Sequence, residues 1–241
     1  MTTHNERIVE QFSLQAIPFT KVAGHMDSVN LLVDMAGVTD ESTVLDLACG
    51  PGIVACEFAK HAKHVTGIDI TPAMIDQAKS RQSENKLENM SWKVGDVTKL
   101  PYPDNSFTTV ITRYSFHHFE NPKAVLAEMI RVCKAGGTVL VADVVLPADK
   151  IEEYDALELI RDPSHVHALT HDEMESLISS SSLSNVKIAN YKVEIELEQQ
   201  MKASFPNKGD EQKIRQMFAD ELVDDRMGIN AHVKDGQIHY E

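Results

Sequence analysis

The chain has 241 residues, 42% of them hydrophobic and 25% charged, with a formal net charge of −14. That length suffices for one α/β domain with a sizeable core, while the excess of acids repels phosphate backbones and argues against DNA or RNA as substrate. No run of about 18 apolar residues exists to enter a membrane, the first residues lack a signal-peptide pattern, and Cys49, Cys56 and Cys133 lack zinc-ligand spacing. These features read as a cytoplasmic protein with reduced thiols, no metal and a small-molecule partner.

In chain order, the spacing of Met26, Val29, Leu32, Val33 and Ala36 predicts a helix over residues 25–37. A strand then ends at Leu47 and runs through Ala48-Cys49-Gly50-Pro51-Gly52 into a helix from Ile53 to Lys60. Further strands end at Asp69, Gly95, Thr112 and Asp143, alternating with helices over Pro72–Glu84 and Pro122–Val132 that each start on proline. Beyond Asp143, helices are expected over Lys150–Ile160, Thr170–Ile178 and Lys208–Asp225, with a sixth strand over Asn185–Leu197. Thr170 and Glu173 have capping-box spacing. Only Gly236–Glu241 is left for a final strand. The alternation predicts a Rossmann-like, doubly wound sheet with helices on both faces.

The turn after the first strand is suited to a nucleotide, since glycine permits close backbone approach and the following helix N-terminus offers N–H groups. Gly50-Pro51-Gly52-Ile53-Val54-Ala55 also fits the loose dinucleotide fingerprint, with Asp69 at the distance of a ribose-binding acid. A nicotinamide-dependent oxidoreductase therefore competes. Three acids decide between the readings: Asp46 precedes the turn, and Asp69 and Asp96 close the next two strands. In an open parallel sheet all three border one crevice, which disfavours a pyrophosphate and suits S-adenosylmethionine, with its sulfonium and ammonium.

Residues 43–144 resemble the core of the class I S-adenosylmethionine-dependent methyltransferases, the broad type that includes ubiquinone and menaquinone C-methyltransferases. The matching stretches, in order, are Asp46–Gly52, Gly67–Met74, Gly95–Val97 with Leu100–Phe107, Arg113–Phe119 and Arg131–Gly137. Ala48 stands where many members have glycine. The resemblance implies a seven-stranded sheet whose last strand is antiparallel and is here either very short or missing. It divides a single 1–241 domain into an N-terminal helical cap (1–37), a cofactor-binding core (43–144) and a substrate-side insertion with C-terminal sheet elements (145–241).

It also implies the cofactor contacts. Asp69 would accept the ribose hydroxyls, Ile70 and Met74 would pack on adenine, and Asp96 with the Val97 backbone would read its amino group and ring nitrogen. Ala48, Gly50 and Gly52 form the turn beside the methionine portion, the Arg113 carbonyl would accept from its ammonium, and Asp46 would act through water or the turn. His118 and His165 are the candidate general bases, with His117 a third, should the acceptor lose a proton. The segment Arg113–Phe116 lacks the tetrapeptide that amino-group methyltransferases use on nucleic-acid nitrogen. A small-molecule methyl acceptor and a monomer or homodimer are expected, with residues 1–24 ordering over bound cofactor. A non-catalytic S-adenosylmethionine-binding module is the remaining alternative.

Overall fold

The computed structural model describes residues 2–22, 24 and 28–241. Its frame is a parallel sheet built from β1 (Thr43–Leu47), β2 (His64–Asp69), β3 (Met90–Val94), β4 (Phe107–Arg113) and β5 (Cys133–Ala142), in the order β3-β2-β1-β4-β5. The chain winds outward from β1 to β3, then returns to lay β4 on the other side of β1. The order reverses between β1 and β4, and in such sheets the ligand crevice opens beyond the carboxyl ends of the strands at this point.

Side-chain alternation along the strands loads both faces. Val44, Val65, Ile111 and Leu140 pack with Leu32 and Val33 of α2 (Val29–Ala36) and with Val54 and Phe58 of α3 (Ile53–Ala59). Leu45, Leu47, Ile68 and Val110 turn to the opposite face, against Val125, Leu126 and Met129 of α5 (Pro122–Val132). Asp46 alternates onto the α3 side between Leu45 and Leu47 and is buried there. Both proline-started helices, α4 (Pro72–Glu84) and α5, have the predicted bounds, and the Asn121 side chain caps α5 by accepting from Ala124 N–H. The predicted 25–37 helix begins at Val29; Met26 lies outside the described residues.

After β5 the chain makes β6 (Val145–Leu146) and α6 (Ile151–Arg161), then β7 (Leu169–Thr170), which pairs with β6, and α7 (His171–Ser179), capped as expected by Thr170 and Glu173. The predicted strand over Asn185–Leu197 is not formed. Only Ile195–Glu196 (β8) is strand, and Val186 and Ile188 within the predicted span are 52% and 77% exposed.

The last strands β9 (His232–Lys234) and β10 (Gln237–Tyr240) form an antiparallel hairpin that joins β8, not β5. Among the described residues the main sheet therefore has five strands where seven were expected. The physical reason lies in a third core. Ile238 and Tyr240 pack onto a cluster made by Leu157 of α6, Leu197 and Met201 of α8 (Leu197–Ala203), and Ile214 and Phe218 of α9 (Asp210–Glu221), so the hairpin buries its apolar face there. No helix among the described residues is long and apolar enough to cross a membrane.

Capping box Thr3/Glu6 starts α1 (His4–Gln15), which lies across the crevice. Asn5 donates to Asp96 Oδ2 (3.0 Å), His4 Nε2 to the His118 carbonyl (2.7 Å), Gln11 to the Phe205 carbonyl (3.1 Å) and Gln15 to Asp162 Oδ2 (3.0 Å). These bonds tie the N-terminal cap to both halves of the molecule.

Candidate active site

A cleft of about 1430 Å³ opens along the carboxyl ends of the strands. That exceeds the roughly 300–1,000 Å³ of a typical small-molecule pocket and leaves room for two ligands. Its cofactor-side wall collects Ala48, Gly50, Asp69, Ile70, Met74, Asp96, Val97 and Arg113. Of the predicted cofactor residues, Asp46 and Gly52 stand behind that wall.

The turn after β1 is held in the left-handed region at Ala48 (φ 49°), Gly50 (φ 50°) and Gly52 (φ 75°). At Ala48 an L side chain is strained, a condition that collects at functional sites. A Cβ at Gly50 would meet nothing within 4 Å, so this backbone faces open space. One at Gly52 would press within 2.9 Å of the Trp92 ring and 3.0 Å of Ala78. Gly50 therefore leaves room for a ligand, whereas Gly52 allows α3 to start tight against β3 and α4.

Asp69 braces the turn. Its Oδ2 accepts from Gly50 N–H (2.9 Å) and its Oδ1 from Thr71 N–H (2.8 Å), with lone pairs to spare on both oxygens. Burial raises its pKa in spite of those donors. Asp46 is more extreme: burial, countered by the Ala55 N–H and Arg113 and reinforced by Asp69, pushes its pKa up to about 8, and its Oδ2 is a sealed oxygen with no partner. Asp96 spends Oδ1 on Thr98 and Oδ2 on Asn5. At the end of β4, Tyr114 has φ 54°, and the Arg113 guanidinium lies 4.3 Å from the Tyr114 ring centroid.

The other end of the cleft holds histidines. His117 and His118 follow β4, with ring centroids 4.3 Å apart, and His165 lies 5.6 Å and 6.3 Å from them. Their chemistry differs. His117 Nδ1 donates to Asp143 Oδ1 (2.6 Å), and Asp143 also accepts from the Ser115, Phe116 and Val144 N–H groups (2.8, 2.6 and 2.9 Å). Burial lowers the His117 pKa, but Asp143 and Glu158 outweigh it and raise the pKa overall.

His118 Nδ1 donates to the Ser164 carbonyl (3.0 Å), and burial together with His117 presses its pKa to about 3, so it is neutral at ordinary pH. His165 lies outside the cleft wall. Its Nε2 donates to Asp155 Oδ1 (2.7 Å), its Nδ1 is sealed without a partner, and burial lowers its pKa. His165 and His167 both bond Asp155, fixing the 162–168 loop, whose Val166 and His167 N–H groups donate to the His117 carbonyl (2.9 and 3.1 Å).

Residues that sequence reasoning passed over complete this end. Asp143 follows the last residue of β5, much as Asp96 follows β3 and Asp69 ends β2, and that repeated carboxylate at the strand ends was the available signal. Glu158 and Arg161, a buried ion pair on one turn of α6, and Tyr154 also line the cleft. No group of three or more His, Cys, Asp or Glu able to hold a metal exists among the described residues.

A match to a family model described as a methyltransferase domain covers residues 45–141. The uncharacterized methyltransferase YcgJ of Bacillus subtilis is 30% identical over 184 residues, 76% of this chain and 73% of that protein. The chain belongs to the class I S-adenosylmethionine-dependent methyltransferases. The solved YcgJ structure superposes with a TM-score of 0.80 at 27% identity, over 88% of this chain and 93% of that one. The ubiquinone/menaquinone biosynthesis C-methyltransferase UbiE of Desulfotalea psychrophila is 32% identical over 162 residues, 59% of this chain and 65% of that protein.

The cofactor of this methyltransferase is S-adenosylmethionine. The residues fit it. The open backbone at Gly50 and the spare lone pairs of Asp69 and Asp96 line the crevice with acceptors, which suits a ligand carrying hydroxyls and positive charge and not one carrying a pyrophosphate.

Proposed function

We propose that this methyltransferase carries out in-line transfer to a small-molecule acceptor, with the cofactor lying along β1, β2 and β3 and the acceptor under α1 beside the histidines. One observation carries the reading: a single cleft joins the strained glycine turn and its carboxylates to a second, histidine- and tyrosine-lined chamber. S-adenosylmethionine, when bound, supplies a methyl group on an electron-poor sulfur.

The chain's residues hold the reactants. Asp69 accepts the ribose hydroxyls through the lone pairs left by Gly50 and Thr71. Ile70 and Met74 flank adenine, and Asp96 and the Val97 backbone read its edge. Ala48 and Gly50 approach the methionine portion, and the Arg113 carbonyl accepts from its ammonium. Asp46 contributes a buried carboxyl group just behind the turn. Gly52 sets the start of α3 and acts through the turn's shape.

Alignment supplies much of the acceleration in such a displacement, which needs the reacting atoms about 3–3.5 Å apart and in line. The tethers from α1 to Asp96, His118 and Asp162 hold the helix across the cleft, where it covers the acceptor. The same reading makes the protein one domain, cytoplasmic, a monomer or homodimer, and indifferent to nucleic acid because of its charge of −14. The test is mass-spectrometric detection of a methylated product and S-adenosylhomocysteine from a panel of phenols, enols, amines and thiols. Formation of S-adenosylhomocysteine that depends on one acceptor class supports the reading; none with any acceptor, despite cofactor binding, overturns it.

A further inference from the structure

Of the three clustered histidines, His117 alone pairs its Nδ1–H with a buried carboxylate and keeps the other nitrogen available on the cleft. Its side chain is 13% exposed and lines the cleft, and its Nε2 makes no hydrogen bond among the described residues. His118 is held in the wall as a weakly basic neutral ring, and both His165 nitrogens are withdrawn from the cleft. Asp143 is itself immobilised by three backbone N–H donors, so the imidazole orientation is fixed by the backbone after β4 and β5. A carboxylate that fixes one ring nitrogen selects the tautomer in which the other is a bare base.

We propose that His117 is the general base of the transfer, that Asp143 positions it, and that the acceptor is an aromatic or enolic hydroxyl. This rests on the methyltransferase reading above. As the acceptor oxygen's lone pair bonds to the methyl carbon, the carbon–sulfur bond breaks with its electron pair going to sulfur. The hydroxyl proton passes to Nε2 of His117, giving an imidazolium paired with the Asp143 carboxylate, and leaves from there to water. An amine that reacts through its free lone pair needs no such base in the displacement itself, so the dyad points to a hydroxyl. Tyr154 and Phe12, which line the same chamber, offer ring faces and edges to a planar acceptor.

The charged and titratable groups around His117 are Asp143, Glu158, Arg161, His118 and His165. The two carboxylates outweigh Arg161 there and favour the imidazolium that proton capture produces.

The experiment uses 4-nitrophenol as probe, with S-adenosylhomocysteine bound, at a pH just below the phenol's own pKa. Calorimetry first establishes S-adenosylhomocysteine binding in wild type and in His117→Asn; its absence in wild type sinks the underlying reading as well. The expected result is phenolate absorbance growing with bound probe in wild type and lost in His117→Asn. In Asp143→Asn the His117 imidazole resonance should titrate at lower pH, a change that loss of packing alone does not produce. Transfer to phenol should fall about 100-fold or more in His117→Asn, and far less to the easily ionised nitrophenol. No probe binding, binding as neutral phenol, or equal ionisation in wild type and His117→Asn overturns the proposal.

Discussion

Replacing Asp46 by asparagine should flatten the pH dependence of the free protein's stability. In the folded chain this carboxyl is buried on β1 with an unpartnered Oδ2, and burial raises its pKa from 3.8 to about 8. A carboxyl whose folded pKa lies above its unfolded value binds its proton more tightly when folded. Its contribution is present in full below the unfolded pKa and is lost as pH rises toward the folded one. The gap of about four units, at about 1.4 kcal/mol per unit, sets a ceiling near 6 kcal/mol on the stability lost between about pH 4 and pH 8. Water entering beside the ionised group lowers that, so a difference of about 2–4 kcal/mol is expected. Asparagine keeps an oxygen for the Ala55 N–H and does not titrate. Urea denaturation of both proteins across this range should show curves that diverge, the wild type losing stability relative to the variant as pH rises. Parallel curves would refute the reasoning that the crevice holds a proton on Asp46 when no ligand is bound.

Gly67→Ala should destabilise by about 1–3 kcal/mol, because a Cβ there would lie 2.4 Å and 2.5 Å from Trp92 ring carbons and 2.9 Å from Cys49 Sγ; an unchanged melting temperature would show that Trp92 yields freely. Glu158→Gln removes one partner of the buried Glu158–Arg161 pair and should cost about 3–5 kcal/mol by denaturant titration, with a loss below about 1 kcal/mol contradicting its burial. Hydrogen exchange over α1 should slow when S-adenosylhomocysteine is added, since Asn5, His4 and Gln15 tether the helix across the cleft; unchanged exchange would mean that the cap is set independently of the cofactor.

The cofactor half of the molecule was legible because its information is local. Strand-ending acids, a glycine turn and prolines at helix starts each act within a few residues, and β1 to β5, α4 and α5 stand where those signals put them. The C-terminal third was legible only in part, because its outcome depends on a competition between distant surfaces. Val186 and Ile188 carry strand alternation, but β10 finds its apolar partner in α6, α8 and α9, and nothing in the spacing of residues 185–197 announces that.

The histidines show the same divide. Their composition marked a chemical site, whereas the ranking among them came from Asp143, Ser164 and Asp155, which lie 26, 46 and 10 residues from the rings they bond. The Asn5–Asp96 contact, 91 residues apart in the chain, had no local signal.

The most direct test of the account is calorimetric titration of wild type and Asp69→Ala with S-adenosylhomocysteine, with circular dichroism to verify that both are folded. Asp69 is assigned the ribose hydroxyls and holds the glycine turn through Gly50. The account predicts binding by the wild type that weakens at least about 100-fold in the variant, equivalent to about 2.7 kcal/mol. Equal affinity in a folded Asp69→Ala protein would contradict the placement of the cofactor in this crevice.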